Sequence, residues 1–583
     1  MAVTSRSLYD LSSSVIVTSF YSFKSELKSI PEHISCDIYF KLYEEKKICV
    51  LGLELIDLNI FYKMLKVTHR KTQLLQCFQT LMDHGFNISM ELSNAYASKC
   101  LHSQMCSALQ QTIDLGLTLG EFLNDAGWQK DSEVVLIHCR DLCLSAPQTP
   151  TSLRKTLDCY HNLLNVQVAS NLLPEATSTY QEIKKLIHTL RKMDELPNLA
   201  ALYDEISSYF VTISEFNEAL KWSAESLREL VPGLPASTTV NILRQLAHIC
   251  FMRGQSKKAG VLIRQALRIA NEVYEPSDHR LPDVIIDYGN ILLNDDAVCF
   301  CPEDPTGAGN NHSVEVLSKA LEMRKAIYGH KNIYVAFALE ELANALYWNE
   351  KYVRARECIE ESISIQEAIL PPNHPLLASS LGVKGLILEG LAFEEDPSIP
   401  DNSLLLEAEK LHITTLELTI KARGINSEET AHCYHELGSF YHLIEKYKEA
   451  EALLLQADAV KEKIFGTEYG DRVSSLSTLA CLYVDLDQYH KAEELYLRSI
   501  ETTSIAGIKF YGETYSGLRE DYEGLVHCYE QLGNTERMNH YITTLSHWEA
   551  VRRHLSVQNN CKDLEESGPI VPLPDLLNYC FKD

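Results

Sequence analysis

The chain has 583 residues, 45% of them hydrophobic and 23% charged, values of a folded globular protein that exclude a mostly disordered or coiled-coil chain. Its 53 Lys and Arg against 80 Asp and Glu give a formal net charge of -27, which repels phosphate backbones, excludes a general nucleic-acid-binding role and favours basic ligands. Seventeen Cys occur without a C-x-x-C pair, the usage of reduced thiols in a cytoplasmic or nuclear protein. The start has an apolar patch at Val15 to Val17 but no cleavable secretory pattern. No uninterrupted apolar run reaches the ~18 residues that span a bilayer, so membrane contact is expected to be peripheral.

Residues 1–45 stand apart from the rest. Leu8, Ser12 and Ile16, preceded by Ser7, fall at i, i+4 and i+8 and share one face of a predicted helix, where a partner could dock. Ile30, Pro31, Ile34 and Ile38 follow, with Pro31 in a first helical turn and a capping box expected from Ser29 and Glu32. Residues 46–200 read as irregular helical repeats. Gly120 and Ser132 mark an early unit before a less regular stretch at 145–200. Cys139 and Cys143 lie four apart on a predicted helix beside His138. Two thiols and one imidazole do not complete a tetrahedral zinc site, so the expectation is buried helical Cys and no metal.

From 201 to 550 a phrase recurs in which a small residue precedes an Ala by twelve positions: Ser207 and Ala219, Ala247 and Ala259, Ala343 and Ala355, Gly438 and Ala450, Ala480 and Ala492. Small residues are needed at both places because two antiparallel helices touch there. The anchors Ser207, Ala247, Gly289, Ala343, Gly385, Gly438, Ala480 and Val526 are separated by 40, 42, 54, 42, 53, 42 and 46 residues. The common step exceeds the ~34 residues of a minimal tetratricopeptide unit, so longer helices or connectors are expected. The wide steps place Pro- and Gly-rich insertions at 294–312, expected to be a mobile loop, and at 393–403; 551–583 is expected to trail as a tail. The fold class this implies is all-α: a tetratricopeptide-repeat right-handed superhelix, or α-solenoid, with an N-terminal helical module.

The P-loop, G-x-S-x-G and H-E-x-x-H phrases do not occur, and nothing supplies a base to Cys299 or Cys301, so a non-enzymatic protein without cofactor is expected. The long repeat step resembles that of kinesin light chains. The first 45 residues look like an elongin-binding box (Leu8, Ser12, Ile16) followed by a cullin-2 box (Ile30, Pro31, Ile34, Ile38). With IPEHISCDIYFKLYEEKKICVLG, CFQTLMDHG, LGEFLNDAGW, ILRQLAHIC, IIDYGNILLN and YSGLREDYEGL, the chain resembles the kinesin-light-chain-like tetratricopeptide family of cullin-2 ubiquitin-ligase substrate receptors. The resemblance implies elongin B and elongin C, cullin-2 with its RING protein, and substrates bearing carboxy-terminal degrons of Arg-x-x-Gly type. It also implies association with microtubules and with sorting of the amyloid precursor protein tail, in cytoplasm and nucleus; the sequence leaves open whether the array forms a homodimer. The alternative is a cargo or sorting adaptor of the kinesin-light-chain kind that recruits no ligase.

Family geometry further implies that the position two before each anchor faces a bound peptide: Glu205, Gln245, Asp287, Glu341, Val383, Glu436, Thr478 and Gly524, with Asp204, Asp283 and Glu340 adjacent. A carboxylate takes a guanidinium through two parallel hydrogen bonds. Asp283, Asp287, Glu340 and Glu341 are therefore expected to receive a ligand Arg. Asn241, Arg244 and Asn290 are expected to receive the peptide carboxylate.

Overall fold

A computed structural model describes residues 7–558, except 28–29, 103–105, 232, 253–254, 294–307, 395–401, 466–471 and 510–516. Among the described residues there are 27 α-helices and no strand, so the all-α expectation holds. Two compact units divide the chain. One comprises residues 1–198 with 277–279 and 323–335; the other comprises 199–276, 280–322 and 336–583.

In the first unit, helix Leu8–Thr18 opens on a capping box in which the Ser7 hydroxyl accepts from Asp10 N at 3.1 Å and the Asp10 carboxylate accepts from Ser7 N. Helix Glu32–Glu44 differs from expectation. Pro31 is its N-cap, in extended conformation and without a side-chain cap; Ser29, assigned to a capping box with Glu32, lies outside the described residues. Phe61, Phe78 and Phe122 pack edge-on with centroids 5.3 to 6.0 Å apart and join three helices in one core. The pair Cys106–Asp125 and Gln129–Ser145 closes at Gly120, where the Ser132 hydroxyl donates to the Gly120 carbonyl at 2.6 Å.

The stretch at 145–200 is more regular than its sequence. Helices Pro150–Ala169 and Leu173–Lys192 form a further pair of the same kind, with Leu164 and Ala176 at the twelve-residue offset and both fully buried. A Leu at the position that is usually small conceals the unit.

Among the described residues a tetratricopeptide array of eight helix pairs follows, in the second unit save for residues 323–335. They are Ala200–Thr212 with Phe216–Arg228, Ala236–Met252 with Ser256–Val273, Leu281–Leu293 with Ala308–Tyr328, and Ile333–Trp348 with Tyr352–Ile369. Pro375–Ala392 with Asn402–Arg423, Glu428–Leu443 with Tyr447–Phe465, Arg472–Asp485 with Tyr489–Lys509, and Gly517–Gln531 with Thr535–Gln558 complete it. Of the expected insertions, 294–307 and 395–401 lie outside the described residues, and the helix Ala308–Tyr328 already occupies the end of the first. The last helix continues past the expected end of the periodicity, and residues after 558 lie outside the described ones.

The need for small anchors is visible atom by atom. A methyl group on Gly438 would meet Leu454 Cγ at 2.9 Å, and one on Gly289 would meet Leu317 Cδ2 at 2.8 Å. Ser207 uses its hydroxyl instead, donating to Ala219 O and bonding Ser223 Oγ, each at 2.8 Å. Seven residues after the anchor the chain turns in the left-handed region: Ser214 (φ 60), Glu350 (φ 56), Glu445 (φ 62), Asp487 (φ 57) and Gly533 (φ 70). At each, the next amide reaches back five residues, as Glu215 N does to Phe210 O at 2.8 Å, the signature of a Schellman cap. Gly127 and Asn171 do the same for the two pairs of the first unit.

Helix Pro375–Ala392 is long and apolar enough to cross a membrane by length and composition, with mean hydropathy 1.3. It carries Lys384 and Glu389 and packs against Tyr352–Ile369 and Asn402–Arg423, which marks it as a core helix of the array.

Candidate peptide-binding face

First helices of consecutive pairs lie side by side, Ala200–Thr212 against Ala236–Met252 and that against Leu281–Leu293, so residues three or four apart on each helix line one wall. Asp204 and Glu205 come from the first, Asn241, Arg244, Gln245 and His248 from the second, and Asp283, Asp287 and Asn290 from the third.

Arg244 is the centre of this wall. Its Nε donates to Asp287 Oδ2 at 2.6 Å and its NH1 lies 4.0 Å from Asp283 Oδ2. Burial disfavours the guanidinium charge, and Asp287 and Asp283 more than restore it, holding Arg244 above its usual range. Arg244 and Asp287, expected to meet opposite ends of a ligand, are thus bonded to each other, and a ligand bearing both charges has to exchange with that pair.

Asp204 has no such partner. Its Oδ1 is buried and accepts no hydrogen bond, and its carboxyl is pushed up to about 8 by burial, reinforced by Glu205 and opposed by Arg244. Gln245 Nε2 is also buried without an acceptor. The wall therefore offers a buried acceptor and a buried donor, both unsatisfied, beside an ion pair; such groups carry a desolvation cost that a ligand can remove.

The remaining expected residues divide. Asn241 is exposed, and Asn290 and Glu341 are half-buried. Glu340 is a correction. It is 5% exposed, and its carboxylate accepts from Ser379 Oγ and Ser380 Oγ at 2.5 Å each and from Gln366 Nε2 at 3.4 Å. Desolvation raises its pKa against those bonds. It joins two neighbouring pairs inside the array and offers nothing to a peptide. Asp204, named beside the expected wall, was not among the carboxylates assigned to a ligand Arg: it precedes its anchor by three, as Arg244 does, and the turn of helix that presents Arg244 presents it too.

At the amino terminus, helix Leu8–Thr18 turns Ser13 and Val17 inward and presents Leu8 (81% exposed), Leu11 (48%) and Val15 (60%) outward, with Ser12 exposed and Ile16 half-buried. Lys41 Nζ fixes the helix by donating to Asp10 O at 2.7 Å and Ser13 Oγ at 2.9 Å, and Lys47 Nζ by donating to Val17 O at 2.7 Å. Pro31 is exposed, while Ile30 and Ile34 are half-buried. Ile38 is fully buried in the unit's core, a correction to its expected role as a contact: it can only support the surface that Ile30 and Ile34 present.

Paired helices stacked through small anchors, with a polar first-helix wall, define a tetratricopeptide-repeat adaptor. Tetratricopeptide repeat models match residues 336–376, 402–463 and 435–504. The amyloid protein-binding protein 2 of Mus musculus and that of Rattus norvegicus are each 35% identical over 568 residues, 96% of this chain and 94% of theirs. The chain belongs to the amyloid protein-binding protein 2 family. Among solved structures, a putative kinesin light chain of Podosopora anserina with nearly identical TPR-like repeats is similar at 20% identity, covering 38% of this chain and 98% of that one with a TM-score of 0.32.

Proposed function

We propose that this adaptor is the substrate-recognition subunit of a cullin-2 ubiquitin ligase and holds carboxy-terminal peptides of Arg-x-x-Gly type on its first-helix wall. One observation carries the peptide half: Asp204 Oδ1, a buried acceptor without a donor, stands beside an Arg244–Asp287 pair. A ligand guanidinium satisfies Asp204, and the ligand carboxylate draws on Arg244 in exchange for Asp287. Opposite charges at the two ends of a short peptide thus exchange with an internal ion pair, and Asp287, its side chain 33% exposed, is released toward solvent. Gln245 Nε2 finds its acceptor in the peptide backbone.

The ligase half is supported by the exposed stripe of Leu8, Leu11 and Val15 on a pinned helix, followed by the exposed Pro31. Elongin B and elongin C are its proposed occupants, with cullin-2 and its RING protein reached through Pro31, Ile30 and Ile34. The chain performs no chemistry in this scheme; it raises the effective concentration of a substrate lysine near the charged conjugating enzyme. The relatives are named for binding amyloid protein, and an amyloid precursor protein tail is accordingly a proposed ligand of the same wall.

Two experiments separate the halves. A labelled peptide ending in Arg-x-x-Gly is expected to lose at least about tenfold in affinity on Asp204→Asn or on replacement of its own Arg, as loss of a charged hydrogen bond requires. Equal binding by the peptide without Arg overturns the wall assignment. In pull-downs, Leu8→Asp with Pro31→Ala is expected to lose elongin and cullin. Unchanged association leaves the reading of a sorting adaptor that recruits no ligase.

A further inference from the structure

Three thiols converge in the first unit, well away in sequence from the peptide-binding wall. Cys139 and Cys143 project one turn apart from helix Gln129–Ser145, and Cys159 faces them from helix Pro150–Ala169. Their Sγ atoms all lie within 4.8 Å of one another, and none is more than 1% exposed. Four other Cys of the described residues, Cys36, Cys77, Cys250 and Cys528, are buried too, yet they join no such group. His138, the imidazole that its sequence position suggested, is outside the cluster; Cys159, twenty residues beyond Cys139, is the third member.

We propose that Cys139, Cys143 and Cys159 form a three-thiolate site for a single thiophilic d10 cation, zinc or cuprous copper. Metal–sulfur bonds of about 2.3 Å place three sulfurs about 4 Å apart around one ion, whether trigonal or on three corners of a tetrahedron. The cluster is within a small side-chain adjustment of that spacing. The donor set selects the ion: three sulfurs with no carboxylate in the group suit a soft or borderline metal and not calcium or magnesium.

At present the thiols act as donors. Cys139 Sγ lies 3.5 Å from Ile113 O and Cys159 Sγ 3.5 Å from Leu136 O. Binding breaks three S–H bonds, forms three metal–sulfur bonds and releases three protons, with no change of oxidation state. Because every sulfur is covered, the ion enters during folding or through local opening, and once bound it ties the two helices together.

The test uses the full chain expressed in zinc- or copper-supplemented medium, purified anaerobically with a non-thiol reductant and dialysed against a chelator. The expected result is one ion per chain in one of the two media. Its X-ray absorption spectrum is expected to contain three sulfur neighbours near 2.3 Å, and the melting temperature to rise by several degrees over the metal-free chain. Cys159→Ser and Cys143→Ser are expected to retain at least about tenfold less ion, and Cys49→Ser, at an exposed thiol, as much as the wild type. A wild-type chain that keeps no more ion than Cys159→Ser, or a spectrum with fewer than three sulfurs, overturns the proposal. If the Ser variants fail to fold, as circular dichroism will report, the wild-type metal content and sulfur count decide it alone.

Discussion

Asp204 is where one side chain sets a measurable pH response. Its carboxyl lies near 8 in the folded chain against 3.8 for the ordinary group. Between those values the native chain holds a proton that the unfolded chain has released, so stability falls as pH rises through about 4 to 8 and is level above it. The Asp204→Asn variant is expected to lose that decline, as melting temperatures across the window will show. Ligand binding runs the other way. A guanidinium needs the ionised carboxylate, so affinity for an Arg-bearing peptide is expected to rise up to about pH 8, and in Asp204→Asn to be flat over that range. Arg472 is a second residue with a sharp expectation. It is fully buried and bonded to Asp458 through Nε at 2.8 Å and NH2 at 3.0 Å. Arg472→Ala leaves the 14%-exposed Asp458 charge uncompensated and is expected to destabilise the chain by about 3 kcal/mol, read from denaturant melts.

These residues were unequally legible. Asp283 and Asp287 were singled out because an acidic side chain at a repeating register stands out in sequence. That Arg244 neutralises Asp287 was not seen, although the two are 43 residues apart, close to one repeat step, which is the arithmetic that brings neighbouring first helices side by side. Glu340 misled because the same register is read from one helix alone. Its burial depends on Ser379 and Ser380, one pair further on, at a position with no acidic or apolar signal.

At the level of the element, each pair is defined by a close contact and by a turn seven residues later. The contact was readable wherever its residue is Gly, Ala or Ser. Leu164 shows why one pair was not: the fold tolerates a large side chain opposite Ala176, and a search for small residues passes over it. Turns were less readable still, since Glu350, Glu445 and Asp487 adopt left-handed backbone that sequence reading assigns to Gly. The non-glycine residues carry a strain of order 1 kcal/mol. Glu350→Gly, at an exposed position, is expected to be neutral to stabilising by up to about 1 kcal/mol in spite of the added backbone freedom. Gly438→Val is the converse. A side chain there meets Leu454 at 2.9 Å, and a loss of about 1 to 3 kcal/mol is expected in thermal melts.

For the molecule as a whole, the net charge of -27 sets how strongly a basic ligand is attracted, and the salt sets the range. Association rates of an Arg-bearing peptide are expected to fall as salt is raised from about 50 to 500 mM, since the screening length shortens below the width of the wall. Dissociation is expected to change less, because the proposed acceptor, Asp204 Oδ1, is shielded from solvent; stopped-flow measurements separate the two. The all-α repeat class was legible because a stacked array writes its period into the sequence. The division into two units was not, because one of them takes back residues 277–279 and 323–335 from far along the chain. There Asn332 is 1% exposed and donates to Gln79 Oε1 and Ala126 O at 2.9 Å each, contacts across more than 200 residues that no local pattern announces.

In two of the eight pairs, additional chain separates the helices, after Leu293 and after Ala392, at the place where five other pairs have a tight left-handed turn. Added length at such a junction leaves the spacing from each anchor back to its ligand-facing side chains untouched. An epitope or fluorescent label inserted at either point is thus expected to report on the adaptor in cells while the proposed peptide-binding wall keeps its register.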